Sequence, residues 1–208
     1  MRAELLRAGA MIGALLAAWP QAGAAVAQPA PEVDADWPCA QGRTPTISAA
    51  AIWAGPDIVQ AGAWDDDPDA AALARKLASR RTPLDDVDPL LDEFTAKAGT
   101  EKDMRLTRVF AGVLELINRD RSRLISGIVR YAQGQNKLAE KVRQESNAVA
   151  DAQEADAPEK TQQEQQAVLQ WDKRIFEERS RSLTYVCEAP GLLEKRVFDI
   201  ARRIQERL

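Results

Sequence analysis

The fold of this chain is decided by residues 106–149, which read LTRVFAGVLELINRDRSRLISGIVRYAQGQNKLAEKVRQESNAV. Apolar or small residues recur there at steps of four, three or seven, a spacing that keeps side chains on one face of an α-helix. They are Leu106, Phe110, Val113, Ile117, Leu124, Ile128, Tyr131, Leu138, Val142 and Val149. The pattern predicts one long amphipathic helix, with the broader apolar surface in its first half.

A second helical pattern follows a polar break at residues 151–158. Val168, Trp171 and Ile175 form one line, and beside it Leu169, Phe176 and Leu183 recur at intervals of seven. Together the two patterns predict an antiparallel hairpin with helices at about 101–150 and 159–188. Its distal tip is polar, so we expect the tip to be the most exposed part.

The end of the chain predicts one further helix. The pair Pro190-Gly191 is expected to end the second hairpin helix after Cys187, and an amphipathic helix then covers 191–207. No segment of useful length shows the alternation of a strand. The expected fold is an all-α helical bundle with a long coiled-coil-like hairpin and an irregular N-terminal segment fastened to it.

The N-terminus has the pattern of a secretory signal peptide. Basic residues precede the apolar run Ala8 to Trp19, and the small-residue pattern Ala25-Val26-Ala27 follows. The apolar run is short for a membrane span, which takes roughly 20 residues. We therefore expect a signal peptide at 1–27, a disordered leader at 28–36 and a single helical domain at 37–208 in a periplasmic protein.

Two cysteines, Cys39 and Cys187, stand 148 positions apart. An even number of cysteines in an exported chain favours a disulfide, and here only one intramolecular pairing exists. The alternative is two separate thiols. A bond would fasten the N-terminal segment to the end of the hairpin.

Charge is unevenly distributed along the chain. Residues 28–98 carry 6 basic and 13 acidic side chains, whereas residues 99–208 carry 20 and 18. The acidic balance of the first part argues against nucleic acid as a partner. The basic run at Arg119, Arg121 and Arg123 interrupts the long helix pattern, and it could receive this acidic part or an acidic partner protein; we favour the intramolecular contact.

Three tryptophans, Trp37, Trp53 and Trp64, lie close together in the irregular segment. Such rings could stack on a small ligand, but more often they pin an irregular segment onto a helical core, which is the interpretation we favour.

The acidic cluster that follows includes Asp65, Asp67 and Asp69. Its spacing matches the first ligands of a calcium loop, but Ala70 and Lys76 replace the required glycine and glutamate. The cluster instead predicts a helix start with Asp67 as N-cap, and a weak cation site is the alternative.

Catalytic patterns are not found in the sequence. The chain has no histidine, which removes the commonest general base near neutral pH. No nucleophile elbow, phosphate-binding loop, dinucleotide motif or CxxC pair occurs. We expect neither enzymatic activity nor a cofactor.

Three short segments resemble a group of small exported proteins of Gram-negative bacteria. They are Asp36-Trp37-Pro38-Cys39-Ala40-Gln41, Trp53-Ala54-Gly55-Pro56, and Val186-Cys187-Glu188 with Glu194-Lys195-Arg196. The resemblance implies a periplasmic address and no activity. The pairs Leu106-Thr107 and Leu183-Thr184 are similar to the start of the LTxxQ motif of periplasmic helical stress chaperones, but both lack the glutamine.

The sequence as a whole favours a non-enzymatic scaffold or adaptor that binds another envelope protein or a second copy of itself. Two alternatives stay open. One is a small-ligand or cation-binding module at the tryptophan and aspartate segment, and the other is a chaperone-like helical protein.

Overall fold

A computed structural model describes residues 37–208, and the expected signal peptide and leader lie outside this range. No strand occurs among these residues, which confirms the predicted all-α class. Short 3₁₀ turns cover Ala49–Ala51, Leu84–Asp86 and Gly99–Glu101. The α-helices are α1 (Pro68–Ala78), α2 (Val87–Ala98), α3 (Lys102–Glu154) and α4 (Glu159–Gln205).

Helices α3 and α4 form the predicted antiparallel hairpin. They contain 53 and 47 residues, which at 1.5 Å per residue gives lengths of ~80 and ~70 Å. The connection is short, and Asp156 in it adopts a positive φ of 46°. This left-handed conformation reverses the chain just before Pro158, which cannot continue a preceding helix.

The predicted break at Pro190-Gly191 is wrong, because α4 runs through Pro190 without interruption. Proline in a helix interior costs ~3 kcal/mol relative to alanine, partly because it lacks an N–H. Here Pro190 is buried, and its carbonyl accepts a hydrogen bond from Nη1 of Arg121. Tertiary packing therefore keeps a single helix where local preference predicted two, and the separate helix at 191–207 does not exist.

The hydrophobic core lies at one end of the hairpin. There α1 and α2 pack against the first turns of α3 and the last turns of α4. Its largest fully buried side chains are Phe110, Leu77, Leu91, Leu106, Ile117, Ile128, Ile200, Ile204, Val87, Val109, Val113 and Val197. The same surface of α3 that carries the broader apolar pattern in the sequence is thus buried by α1, α2 and α4 together.

The irregular segment before α1 is fastened to this core by specific contacts. The amide N–H of Ile47 donates to Oδ1 of Asn118 at 2.8 Å, and Nδ2 of Asn118 donates back to the carbonyl of Ile47 at 3.0 Å. Ile47 itself is buried in the core cluster. A polar side chain on α3 therefore pairs with the irregular backbone in the way that a neighbouring strand would.

We call residues 135–178 the arm, which is the part of the hairpin farthest from the core. Only four of its side chains are buried: Gln135, Val149, Leu169 and Asp172. Gln135 and Asp172 also make polar contacts that join α3 to α4. The arm therefore depends on a narrow seam between two helices, in agreement with its low apolar content.

Candidate functional site

The base of the arm is closed by a disulfide between Cys39 and Cys187, which confirms the predicted pairing. The S–S distance is 2.01 Å and the two Cα atoms are 5.4 Å apart. Next to it, the side-chain amide of Gln41 donates to the carbonyl of Cys187, and the indole of Trp37 donates to the carbonyl of Gln41 at 2.6 Å. The bond fits an oxidising compartment, where disulfides persist.

The other two tryptophans of the irregular segment have separate partners. Trp53 stacks on Phe110 with centroids 4.0 Å apart and planes 5° from parallel, and its indole donates to the carbonyl of Pro56. Trp64 donates to Oε2 of Glu115 at 2.8 Å, and the guanidinium of Arg75 lies 5.5 Å from its ring. These contacts attach the segment to the helices, as we expected of the tryptophans.

The three arginines of the basic run have different environments. Arg121 is buried, donating its Nε to the carbonyl of Thr44 at 2.9 Å, with its Nη2 3.4 Å from a carboxylate oxygen of Glu194. Arg119 and Arg123 are exposed and pair with acids on their own helix. Arg121 thus holds the irregular segment through a backbone carbonyl, and not through the acidic side chains that the sequence pointed to.

The aspartate cluster contains a helix cap. Asp67 accepts the backbone N–H groups of Asp69 and Ala70 at 3.1 Å, as the sequence predicted. Arg105 on α3 also binds Asp67 at 2.6 Å and Asp69 at 3.2 Å. The Arg105 guanidinium lowers the pKa of Asp67 to about 2, and Asp67 in turn raises the pKa of Arg105. A cation at this point would have to displace Arg105.

Metal ligands are not assembled elsewhere in residues 37–208. No group of three or more Cys, Asp or Glu side chains in this range is placed to hold a metal ion. The described chain likewise contains no helix that is long and apolar enough to cross a membrane.

Two polar contacts divide the seam of the arm. Gln135 donates to the carbonyl of Phe176 at 2.8 Å and to Oγ of Ser180 at 2.9 Å. Farther out, Nζ of Lys141 lies 2.6 Å from Asp172, which lowers the pKa of Asp172 and raises that of Lys141. Gln135 and Asp172 are buried whereas Lys141 is exposed, and the two buried groups fix the register of the helices, since a shifted register would leave them without partners.

The outer side of α4 carries an apolar surface that sequence reasoning did not separate from the seam. Leu169 is buried against α3, whereas Val168 and Trp171 of the neighbouring line are 50% and 60% exposed. Tyr185 and Leu192 are 74% and 63% exposed on the same helix. Tyr185 lies fourteen residues after Trp171 and Leu192 lies seven residues after Tyr185, a spacing that keeps the three side chains on one side of a helix pair.

We name this surface the outer stripe. Its eight positions alternate in steps of three and four: Val168, Trp171, Ile175, Glu178, Ser182, Tyr185, Ala189 and Leu192. Helix α4 therefore carries two rows of side chains with heptad spacing. The row that includes Leu169 faces α3, and the outer stripe faces solvent. Beside Val168 the stripe meets a groove of about 210 Å³ lined by Glu145, Ala148, Glu164 and Gln165.

Comparisons with protein-family models, curated proteins and solved structures give no match for this chain.

Proposed function

We propose that the protein is a non-enzymatic scaffold or adaptor of the periplasm whose arm binds another envelope protein. One observation carries this proposal: the core is confined to one end of the hairpin, while the arm continues both α3 and α4 beyond it for 20 residues each. At 1.5 Å per residue the arm projects ~30 Å. Such a projection presents surface and does not enclose a reaction site.

The anchoring of the arm supports the same function. The disulfide joins Cys39 to Cys187 at the arm's base, and Arg121 binds Thr44 and the carbonyl of Pro190 on the same two segments. These contacts make the base rigid although the seam farther out is narrow. An adaptor needs such a base, because a contact at the tip then holds the partner at a fixed distance from the core.

The periplasm is favoured by two independent features. The sequence begins with the pattern of a signal peptide, and the disulfide is of the kind that persists in oxidising compartments. Neither feature depends on the other.

Site-specific photo-crosslinking in intact cells tests the proposal. A benzophenone amino acid is placed at the exposed arm positions Gln144 and Gln170, and at Ala72 on α1 as the control. We expect adducts with a different protein from the two arm positions and none from Ala72. Replacing residues 151–166 by a short glycine-serine linker should remove an adduct made near the tip. Equal adducts from all three positions, or no heterologous adduct from the arm, would contradict the proposal.

A further inference from the structure

The outer stripe is an unpartnered helix face with a defined beginning and end. It starts at Val168 in the arm and continues to Leu192, a length of ~36 Å at 1.5 Å per residue. The next heptad position is Arg196, which is buried because it donates to the carbonyls of Leu77 and Thr82. The chain after α1 therefore covers α4 where the stripe stops.

We propose that the outer stripe binds the outer stripe of a second copy of this chain, with the two α4 helices antiparallel about a two-fold axis near residue 180. Such a self-complementary interface is the commonest way in which identical chains associate. It goes beyond the adaptor function, since it requires no other protein.

Packing along the stripe is the first argument for this register. Pairing positions that are equidistant from residue 180 places the large ring of Trp171 opposite the small Ala189 of the second copy. Val168 then faces Leu192, and Ile175 faces Tyr185. At the centre Glu178 faces Ser182, whose hydroxyl donates to the Glu178 carbonyl of its own helix and would turn to the carboxylate of the second copy. The pairs Trp171 with Ala189 and Glu178 with Ser182 each set a large side chain against a small one, as close packing favours.

Charge is the second argument. Arg174 and Glu188 flank the stripe, and neither has an ion-pair partner within residues 37–208. The antiparallel register brings Arg174 alongside Glu188 of the second copy, and symmetry repeats the pair. A parallel register would instead bring Arg174 toward Arg179 of the second copy, which is unfavourable. The same register sets Arg179 and Arg181 beside their own copies at the axis, where the Glu178 carboxylates of both copies lie between them. The favourable pairs of the antiparallel arrangement are thus Arg174 with Glu188, and Glu178 with the central arginines.

The ends of the arm supply a third argument. Residues 151–164 carry five acidic side chains and one lysine. In the proposed register Glu164 of the second copy comes opposite Arg196. Nη2 of Arg196 donates to the carbonyl of Thr82 at 2.9 Å, so the loop after α1 lies at this point. The exposed Arg80 and Arg81 belong to this same segment. An acidic tip would thus meet a basic loop at both ends of the dimer.

Mass measurement tests the association. Light scattering across a concentration series of the oxidised protein should give twice the mass of one chain. Trp171→Glu should give the mass of one chain at the same concentrations, with unchanged helix content by circular dichroism. The matched control is Phe198→Glu, since Phe198 is 51% exposed on the same helix but lies off the stripe, and it should leave the dimer intact. A single-chain mass for the unaltered protein at all concentrations would overturn the proposal and would indicate that a different protein binds the outer stripe.

Distances between spin labels test the register. A label at Ser182→Cys lies near the axis, so its distance along α4 to the same label on the second copy is ~6 Å, whereas for Gln170→Cys that distance is ~30 Å at 1.5 Å per residue. We expect a short interchain distance for the first label and a long one for the second. Short distances at both positions would show parallel helices and overturn the antiparallel arrangement.

Discussion

The carboxylate of Asp67 lies 2.6 Å from Nε of Arg105, and this contact joins the first turn of α1 to α3. The two side chains are only 9% and 16% exposed. The same carboxylate accepts the backbone N–H groups of Asp69 and Ala70. One side chain therefore both starts a helix and fixes that helix against its neighbour.

Removing the charge of Asp67 should destabilise the protein in a pH-dependent way. The Arg105 guanidinium lowers the pKa of Asp67 from 3.8 to about 2, a difference that corresponds to about 2 kcal/mol. Because the folded-state pKa lies below the unfolded value, this stabilisation is complete above pH ~4 and is lost as the pH falls through ~2. Asp67→Asn should therefore lower the free energy of unfolding by about 2 kcal/mol at pH 7 and have little effect near pH 2, as measured by urea denaturation.

The asparagine keeps an oxygen that can cap α1, so this substitution isolates the charge from the cap. Asp69→Asn is the matched control, because the Asp69 side chain is 82% exposed and contacts the same arginine. It should change stability by less than ~0.5 kcal/mol. Equal effects of the two substitutions would contradict a special role for Asp67.

Breaking the bond between Cys39 and Cys187 should destabilise the core and release the N-terminal segment. A loop of 148 residues has a closure entropy that corresponds to at most about 5 kcal/mol, and losses of 2–4 kcal/mol are typical. Thermal unfolding with and without dithiothreitol should show the decrease, and limited proteolysis should then cut near residue 42. The double variant Cys39→Ser/Cys187→Ser should melt like the reduced protein and not respond to dithiothreitol. Identical melts and cleavage patterns would show that the bond contributes nothing.

Two glycines of α3 should respond in opposite directions to substitution by alanine. A Cβ added at Gly112 would lie 2.7 Å from both the Cβ of Ala74 and a ring atom of Trp64, whereas Gly134 has no such neighbour within 4 Å. Gly112→Ala should cost about 1–3 kcal/mol through overpacking. Gly134→Ala should stabilise by about 0.5–1 kcal/mol, because alanine favours the helix. Urea denaturation measures both, and a stabilising Gly112→Ala would show that α1 can move away from α3.

Sequence periodicity predicted the hairpin because its signal is local and long. The steps of three and four from Leu106 to Val149 persist over many turns, and the polar break before Pro158 stands between them and the returning pattern. The disulfide was predictable for a different reason, since two cysteines allow one pairing. Asp67 could be identified as a cap because cap chemistry depends only on the adjoining residues.

Other features depend on contacts between distant segments and were not predictable in the same way. The sequence predicts that a helix ends near Pro190. Instead Pro190 lies inside α4, where its carbonyl accepts a hydrogen bond from Arg121, 69 positions away. The two apolar lines at Val168 and Leu169 are adjacent in sequence, and periodicity alone does not decide which one faces α3. The arginines were expected to meet the acidic side chains of the N-terminal part, but Arg121 binds that part at the backbone carbonyl of Thr44, and a sequence does not display the positions of backbone carbonyls.

Arg196 is a second buried arginine that binds backbone carbonyls of a distant segment. Its guanidinium donates to the carbonyl of Leu77 at 3.0 and 2.7 Å and to that of Thr82 at 2.9 Å, so it binds the otherwise open end of α1. Burial lowers the pKa of Arg196, but the guanidinium stays charged.

Arg196→Met should therefore cost about 2–4 kcal/mol, because it keeps the apolar stem and leaves two carbonyls without their donor. Arg196→Lys should recover part of this loss, since an ammonium cannot reproduce the planar fork. The exposed neighbour Lys195 is the control, and Lys195→Met should change the free energy of unfolding by less than ~0.5 kcal/mol. If Arg196→Met were as stable as the unaltered protein in urea denaturation, water would have to satisfy both carbonyls, and the end of α1 would not depend on α4.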